Sequence, residues 1–254
     1  MGYASRVSYR CKGIKLMYTL YYGDCLLELN KVKDNSIDLI FLDLPYGTTQ
    51  NKWDIVIPFK PLWEQLRRVV TPTGNIIFTA TQPFTSHVVL SNQDWYRYDW
   101  IWKKTIGSGQ MNVKRQPMRL HETILVFYRQ FGIYNEQKTK GKPYKITRNA
   151  VYANQTYGSQ KEHTKENDGF RHAQSVVEIS NPRIKGGHPT EKPLALLEYI
   201  LNTYSDIGMT VLDPTMGRGT TGVAAKRLGR NFIGIEKDLF WFSKAEERIT
   251  TNDI

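Results

Sequence analysis

The 254-residue sequence has few cysteines, a shortage of acidic residues and no long apolar run. Its two cysteines, Cys11 and Cys25, make no disulfide framework or metal pattern, so a reducing cytoplasm is the expected compartment. The histidines share no metal-ligand spacing, and we expect no metal. No apolar run reaches the roughly 18 residues of a membrane span, and the start lacks the apolar stretch of a signal peptide. These features predict a globular protein with no membrane partner.

The shortage of acidic residues leaves a strong positive charge. Lys and Arg number 35 against 24 Asp and Glu, a net charge of +11. This balance favours a polyanionic partner, usually nucleic acid, although composition alone fits a merely soluble basic protein equally well. Residues 131–187 carry ten Lys and Arg against five Asp and Glu, a net of +5, with aromatic residues interleaved. That texture is typical of a lobe that touches nucleic acid, and a solvated loop insertion is the alternative.

Strands and helices alternate along the rest of the chain. Apolar patterns predict strands at 37–42, 75–79, 123–128, 211–212 and 232–235, and helices at 59–70, 193–204 and 219–228. This alternation predicts an α/β fold with a mainly parallel sheet. The basic segment 1–16 shows little apolar pattern and is expected to be a disordered arm, with a DNA-contacting arm as the alternative. Whether translation begins at Met1 or Met17 stays open.

A glycine-rich loop, 213–222, separates a predicted strand from a predicted helix. Gly217, Gly219 and Gly222 fit the spacing G-x-G-x-x-G, which permits a tight turn and close approach of a ligand to the backbone. Glu236 ends the next strand, 236 − 213 = 23 residues after Asp213. An acid in that place can accept hydrogen bonds from ribose hydroxyls. The loop predicts a nucleoside-containing ligand, and NAD and S-adenosylmethionine both fit.

A second motif, Asp43-Leu44-Pro45-Tyr46, follows the predicted strand 37–42. Ligands of open α/β sheets lie at the carboxyl ends of strands. Asp43 and the carbonyl group of Leu44 can each accept a hydrogen bond from the amino group of a base, and Tyr46 can stack on a flipped base. Pro45 fixes the turn and lacks an N–H group. An ordinary boundary between a strand and a turn is the alternative.

Together these motifs resemble the amino-methyltransferases of DNA, in the beta arrangement, where the catalytic tetrapeptide precedes the cofactor loop. Asp43 to Tyr46 resembles the family's Asp-Pro-Pro-Tyr. Three further segments match in the family's order: Gly23-Asp24-Cys25, His121-Glu122 and His188-Pro189-Thr190-Glu191-Lys192-Pro193. The likeness runs from about residue 17 to residue 249, apart from the inserted lobe.

The resemblance implies an S-adenosylmethionine-dependent methyltransferase with a Rossmann-like fold, a circularly permuted motif order and an antiparallel edge strand. It implies a catalytic half at 17–130, a target-recognition insertion at 131–187 and a cofactor-binding half at 188–254. The implied reaction is site-specific transfer of a methyl group from S-adenosylmethionine to adenine N6 in double-stranded DNA. The implied cofactor residues are Asp24 and Cys25 at the adenine, His188, Thr190 and Lys192 at the methionine end, and Asp213, Pro214, Gly217, Gly219, Thr220, Thr221 and Glu236.

The sequence departs from the family pattern at three positions. Leu44 replaces the first proline of the tetrapeptide, although its carbonyl acceptor survives. Thr215 stands where the family often has Phe, and Arg218 where it often has a small residue. Arg218 could contact a phosphate, but we expect it to be a surface charge. A basic segment around 107–109 corresponds to a loop near DNA in the family, with a solvated loop as the alternative.

Three other functions compete with adenine methylation. Cytosine N4 methylation is the nearest, but that subgroup usually has Ser in place of Asp43. A nucleic-acid-binding protein with an inactive methyltransferase site is the second, and an NAD dehydrogenase, for which no hydride-handling residues are seen, is the third. The sequence leaves open whether the chain is a monomer or a homodimer, and whether a cognate restriction endonuclease exists.

Overall fold

The computed structural model describes residues 4–11, 14–47, 54–148, 162–181 and 191–251. The chain forms two units. Unit 1 comprises Met1–Asn135 and Ser175–Ile254, and unit 2 comprises Glu136–Gln174. Unit 2 lies inside the segment 131–187, which the sequence predicts to be an insertion.

The strands are numbered along the chain. They are β1 (Ala4–Cys11), β2 (Ile14–Tyr22), β3 (Ile37–Leu42), β4 (Val70–Ala80), β5 (Tyr96–Ser108), β6 (Arg119–Phe127), β7 (Thr139–Lys140), β8 (Tyr144–Arg148), β9 (His163–Asn167), β10 (Phe170–Arg171), β11 (Val176–Glu178), β12 (Thr210–Asp213) and β13 (Asn231–Glu236). Strands β7 to β10 belong to unit 2, and the other nine form one sheet in unit 1.

Among the described residues, the α-helices all belong to unit 1. They are α1 (Cys25–Glu28), α2 (Phe59–Val69), α3 (Phe84–Ser91), α4 (Leu194–Tyr204), α5 (Thr220–Leu228) and α6 (Leu239–Thr250), with short 3-10 helices at Leu29–Lys31 and Gln110–Asn112. Within the described ranges, none of the helices combines the length and the apolar character that crossing a membrane requires.

The nine-stranded sheet has the order β1-β2-β13-β12-β3-β4-β6-β5-β11. Strands β2, β13, β12, β3 and β4 pair in parallel with one another. Strand β6 is antiparallel to both β4 and β5, and β1 is an antiparallel edge strand beside β2. The predicted α/β class, with a mainly parallel sheet and an antiparallel edge strand, is confirmed. The internal reversal at β6 is an addition that the sequence did not predict.

Strand β3, at the centre of the sheet, is a nearly continuous run of apolar residues because it is buried on both faces. Every residue of β3 except Asp38 is buried. Leu39 and Phe41 pack on one face with residues of α4, α5 and α6, whereas Ile40 and Leu42 pack on the other with residues of α2 and α3. A parallel strand that is covered on both faces is apolar along its whole length, so its sequence does not alternate between apolar and polar residues.

The prediction of a disordered arm over residues 1–16 is wrong for Ala4–Cys11, which form β1. The register runs from Ala4 opposite Tyr21 to Cys11 opposite Ile14. Without β1, the backbone N–H and C=O groups along one edge of β2 would lack strand partners. The described side chains of β1 are exposed or only half-buried, so the strand carries no apolar pattern for sequence reasoning to detect.

Unit 2 contains two small antiparallel pairs, β7 with β10 and β8 with β9. The Arg171 guanidinium lies 4.6 Å from the centre of the Tyr144 ring. Lys145 and Glu166 form an ion pair of 2.6 Å across β8 and β9. Lys140 and Lys142 are exposed. The described part of this unit thus presents basic and aromatic side chains to solvent.

Candidate active site

Two carboxylates stand at the carboxyl ends of adjacent parallel strands. Asp213 is the last residue of β12, and Asp43 directly follows the end of β3. The two strands pair with Leu212 beside Ile40. The chain continues from β3 to β4 on one side of this pair and from β12 to β13 on the other. The pair is therefore the point where the strand order reverses, which is where open α/β sheets bind ligands.

The carboxylate of Asp43 is held by three side chains. Its Oδ1 accepts hydrogen bonds from the Thr79 hydroxyl at 2.6 Å and the Tyr46 hydroxyl at 3.1 Å. The Lys192 ammonium lies 2.7 Å from Oδ1 and 2.7 Å from Oδ2. Hydrogen bonds to a charged group are among the stronger ones in proteins, so Asp43 has a fixed orientation.

Thr79 is a site residue that the sequence reasoning missed. It is fully buried on β4, the parallel neighbour of β3. Leu42 is opposite Phe78 in the register, which places the next residue of each chain, Asp43 and Thr79, at the same edge. The sequence predicts 37–42 and 75–79 as consecutive strands, but the register that brings Asp43 beside Thr79 is a property of the folded sheet.

Asp43 belongs to a cluster of four charged residues, of which Lys192 and Glu122 are buried. The Lys192 ammonium is also 3.4 Å from Glu122 Oε2, and Glu122 pairs in turn with Lys104. Burial alone would lower the pKa of Lys192, but the charges of Asp43 and Glu122 outweigh it and hold that pKa well above its usual value. Burial likewise acts to raise the pKa of Glu122, yet Lys192 and Lys104 bring it below its usual value. All these shifts favour the charged forms.

The other residues of the tetrapeptide are anchored by packing. The Tyr46 ring stacks on Phe84, with 5.0 Å between ring centres and 26° between planes. Burial raises the pKa of Tyr46 well above its usual value, so its hydroxyl keeps the proton that it donates to Asp43. Leu44 is 3% exposed and lies in the apolar core, and Pro45 is half-buried. The leucine that replaces the family's proline is thus a core residue.

The glycine loop makes the turn from β12 into α5. Gly217 has φ of +53°, and a Cβ atom added there would meet nothing within 4 Å. Gly219 has φ of +75°, and an added Cβ would come within 2.9 Å of Ala245 Cβ. The first glycine therefore serves a left-handed turn beside open space, and the second also allows close packing against α6. Thr220 begins α5 directly after this turn.

Asp213 organises the loop from within. Its Oδ1 accepts from the Thr215 N–H at 3.0 Å and its Oδ2 from the Thr221 hydroxyl at 2.6 Å. Burial raises the pKa of Asp213 to about 7, although these two hydrogen bonds act to lower it. Pro214 is buried beside it. The Thr215 hydroxyl lies 3.4 Å from the backbone carbonyl oxygen of Asp43, so it links the two loops.

Glu236, at the end of β13, accepts two backbone hydrogen bonds. The Gly217 N–H donates to Oε2 at 2.9 Å, and the Asp238 N–H donates to Oε1 at 2.8 Å. Burial raises the pKa of Glu236, and its backbone donors oppose the shift. The backbone carbonyl of Glu236 accepts from the Gly23 N–H at 3.0 Å. The structure thus brings the predicted motif at 23–25 beside the predicted ribose acid.

The two neighbours of Gly23 differ in environment. Asp24 is exposed and caps α1 through a hydrogen bond from the Leu26 N–H at 2.9 Å. Cys25 is buried, and burial, assisted by the charge of Asp24, raises the pKa of its thiol to about 12. Asp24 can therefore reach a ligand with its side chain, whereas the Cys25 thiol is protonated and inside the core.

Glu191 is a second residue that sequence reasoning missed. Its Oε1 accepts from the Thr220 hydroxyl at 2.6 Å and lies 2.8 Å from Arg248. Its Oε2 lies 3.1 Å from Arg218. The prediction that Arg218 is a surface charge is wrong, because its side chain is only 19% exposed and is paired with Glu191. Through these contacts, Glu191 links the segment before α4 to the glycine loop and to α6.

Not every predicted site residue can be placed. His188 and Thr190 lie outside the described residues. Lys192, predicted at the methionine end of the cofactor, contacts Asp43 and Glu122. The remaining predicted residues gather around the ends of β2, β13, β12 and β3.

The sheet order, the glycine loop at the strand reversal and the tetrapeptide beside it define the class of Rossmann-like methyltransferases. Within that class, residues 37–247 match the family model described as DNA methylase, the N6/N4 family. The chain belongs to this family. Its members take the methyl group from S-adenosylmethionine.

Two bacterial relatives are similar over 91% of this chain. One is the Type II methyltransferase M.HinfI of Haemophilus influenzae, 29% identical over 68% of its own length. The other is the Type II methyltransferase M.HpaI of Haemophilus parainfluenzae, 30% identical over 73% of its length. Together with the family match, they make this chain a DNA methyltransferase whose substrate is DNA.

Solved structures show the same fold. The complex of M1.HpyAVI with S-adenosylmethionine has a TM-score of 0.64 and 23% identity, and the match covers 91% of this chain and 100% of that one. The PvuII DNA methyltransferase, described as cytosine-N4-specific, has a TM-score of 0.68 and 16% identity, with 93% and 88% covered. These likenesses show the fold, and the fold alone does not assign the methylated base.

Proposed function

We propose that the chain transfers a methyl group to N6 of adenine at a specific site in double-stranded DNA. The observation that carries the proposal is the carboxylate of Asp43, fixed by Thr79, Tyr46 and Lys192 at the strand reversal. In the family that this chain resembles, an acid at the position of Asp43 is typical of enzymes that methylate adenine. Ser is usual there in enzymes that methylate cytosine. Asp43 therefore favours adenine.

The geometry suits activation of an amino group. The lone pair of an exocyclic amino nitrogen is delocalised into the ring, which makes that nitrogen a poor nucleophile. Hydrogen bonds from its protons to Asp43 and to the carbonyl of Leu44 favour a pyramidal nitrogen and release the lone pair. Because Asp43 is fixed before the base arrives, it can stabilise growing positive charge on that nitrogen without rearranging.

The residues around the glycine loop fit S-adenosylmethionine. When bound, S-adenosylmethionine supplies a methyl group on a sulfonium, which is already a good leaving group. Glu236 and Asp24 would receive the ribose and adenine, and the open side of Gly217 leaves room for the ligand at the backbone. Asp213, Thr220 and Thr221 support the loop near the methionine end.

Unit 2 is our candidate for DNA recognition. Its exposed Lys140 and Lys142 lie in the described part of a segment with a net positive charge. Replacing both with Glu should weaken DNA binding and reduce the slope of log K against log salt by roughly one unit for each lost phosphate contact. Lys33→Glu, an exposed lysine of unit 1, is the matched control. An unchanged salt slope in the unit 2 variant would contradict this assignment.

The base can be identified directly. The purified enzyme is incubated with S-adenosylmethionine and unmethylated bacterial DNA, and the DNA is digested to nucleosides for mass spectrometry. We expect N6-methyladenine. N4-methylcytosine as the product would overturn the choice of base, and absence of both methylated nucleosides would overturn the proposed reaction.

A further inference from the structure

Lys192 is a buried lysine whose ammonium lies between two carboxylates. It is 8% exposed and separated from Asp43 by 149 residues in the chain. Its Nζ is 2.7 Å from both oxygens of Asp43 and 3.4 Å from Glu122 Oε2. Burying an ammonium group is costly unless it is paired, so these two carboxylates account for its position.

The two oxygens of Asp43 differ in how many donors they accept. Oδ1 accepts from Thr79, Tyr46 and Lys192. Among the described residues, the only donor to Oδ2 is Lys192. A carboxylate offers about four lone-pair sites over its two oxygens, so the remaining capacity is on Oδ2.

We infer that Lys192 is a positioning residue for methyl transfer, which holds the Asp43 carboxylate so that Oδ2 accepts a hydrogen bond from the target amino group. This inference rests on the proposed function. The inference places Lys192 beside Asp43, which accepts a hydrogen bond from the base. The family resemblance instead places the motif that contains Lys192 at the methionine end of the cofactor.

The charges of the cluster support this role. Asp43 and Glu122 carry two negative charges, and Lys192 and Lys104 carry two positive charges. Without Lys192, Asp43 and Glu122 would lose the counter-charge that lies between them. Lys192 does not act as a base, because its neighbours hold its pKa well above the usual value and an ammonium group has no lone pair to accept a proton.

Lys192→Met tests the inference, since methionine keeps the length of the side chain and removes the charge. The single-turnover rate of methyl transfer at saturating cofactor should fall about 10²-fold, as when one fixed polar contact to a reacting group is lost. The dissociation constant for S-adenosylmethionine, measured by titration calorimetry, should stay unchanged. Lys192→Arg, which keeps the charge, should retain more activity than Lys192→Met.

A double variant separates positioning from general destabilisation. If Lys192 acts through Asp43, then Asp43→Asn with Lys192→Met should be as active as Asp43→Asn alone, because coupled residues are not additive. Lys226→Met is the matched control, since Lys226 is also a buried lysine but bonds the Ile249 and Thr251 carbonyls. It should lower Tm without changing the rate.

Two results would overturn the inference. One is a Lys192→Met enzyme that binds cofactor weakly yet transfers methyl at the parent rate when saturated. The other is an equal loss from Lys192→Met in the parent and in the Asp43→Asn background. Should Lys192→Met fail to fold, Lys192→Gln, which also removes the charge, is carried through the same cycle and judged by the same two outcomes. If the parent enzyme yields no N6-methyladenine, the proposed function is contradicted. That result is distinct from the two outcomes for Lys192.

Discussion

The Thr79 hydroxyl donates to Asp43 Oδ1 at 2.6 Å, across the parallel strands β3 and β4. The bond joins a fully buried hydroxyl to the acid that we propose to be catalytic. It depends on strand register, and therefore on the core of the sheet, so the orientation of Asp43 is set by the fold.

Thr79→Val should lower the rate of methyl transfer while leaving the fold intact. Valine has almost the same shape as threonine but cannot donate a hydrogen bond. A hydrogen bond to a charged group contributes about 1.5–3 kcal/mol, so a loss of about tenfold or more in single-turnover rate is expected. Thr79→Ser, which keeps the hydroxyl, is the control. Equal rates for Thr79→Val and the parent would show that this bond does not orient Asp43 for catalysis.

The folded protein should lose stability as Asp213 ionises. Burial raises the pKa of Asp213 from 3.8 to about 7, so the folded state holds its proton more tightly than the unfolded state does. This contribution to stability is complete below about pH 4 and is lost as the pH rises to about 7.

Asp213→Asn should remove this dependence. Asparagine can accept from the Thr215 N–H and donate to Thr221, so the loop is preserved. Relative to the parent, the free energy of unfolding of the variant should rise by about 1 kcal/mol per pH unit between pH 4.5 and 6.5. Urea unfolding without cofactor measures it. Parallel pH curves for the two proteins would contradict the raised pKa.

Glu236→Gln should weaken binding of S-adenosylmethionine and leave DNA affinity unchanged. The substitution keeps the shape of the side chain but removes the charge that strengthens a hydrogen bond to ribose. A loss of about 1.5–3 kcal/mol corresponds to a tenfold or greater rise in Kd. Glu247→Gln, on the exposed side of α6, is the control and should have no effect. A cofactor Kd equal to the parent value would exclude Glu236 as the ribose acid.

Those parts of the fold and site that depend on local sequence were predictable. Strand β3 and helix α5 were placed within one residue, because an unbroken apolar run and a glycine turn are local signals. The link between Lys192 and Asp43 was not predictable, since it joins residues 149 apart and depends on how the segment before α4 meets the sheet. Strand β1 is not predictable from its apolar pattern, because none of its described side chains, at residues 4–8, is buried.

Asp43→Asn tests the proposed catalytic site most directly. Asparagine has almost the same volume, but it lacks the negative charge that stabilises the developing positive charge on the amino nitrogen. The assay follows transfer of tritiated methyl to unmethylated DNA under single turnover, with cofactor binding and Tm measured in parallel. We expect an unchanged cofactor Kd and a rate lower by about 10²–10⁴. Transfer by Asp43→Asn at close to the parent rate would contradict the placement of catalysis at Asp43.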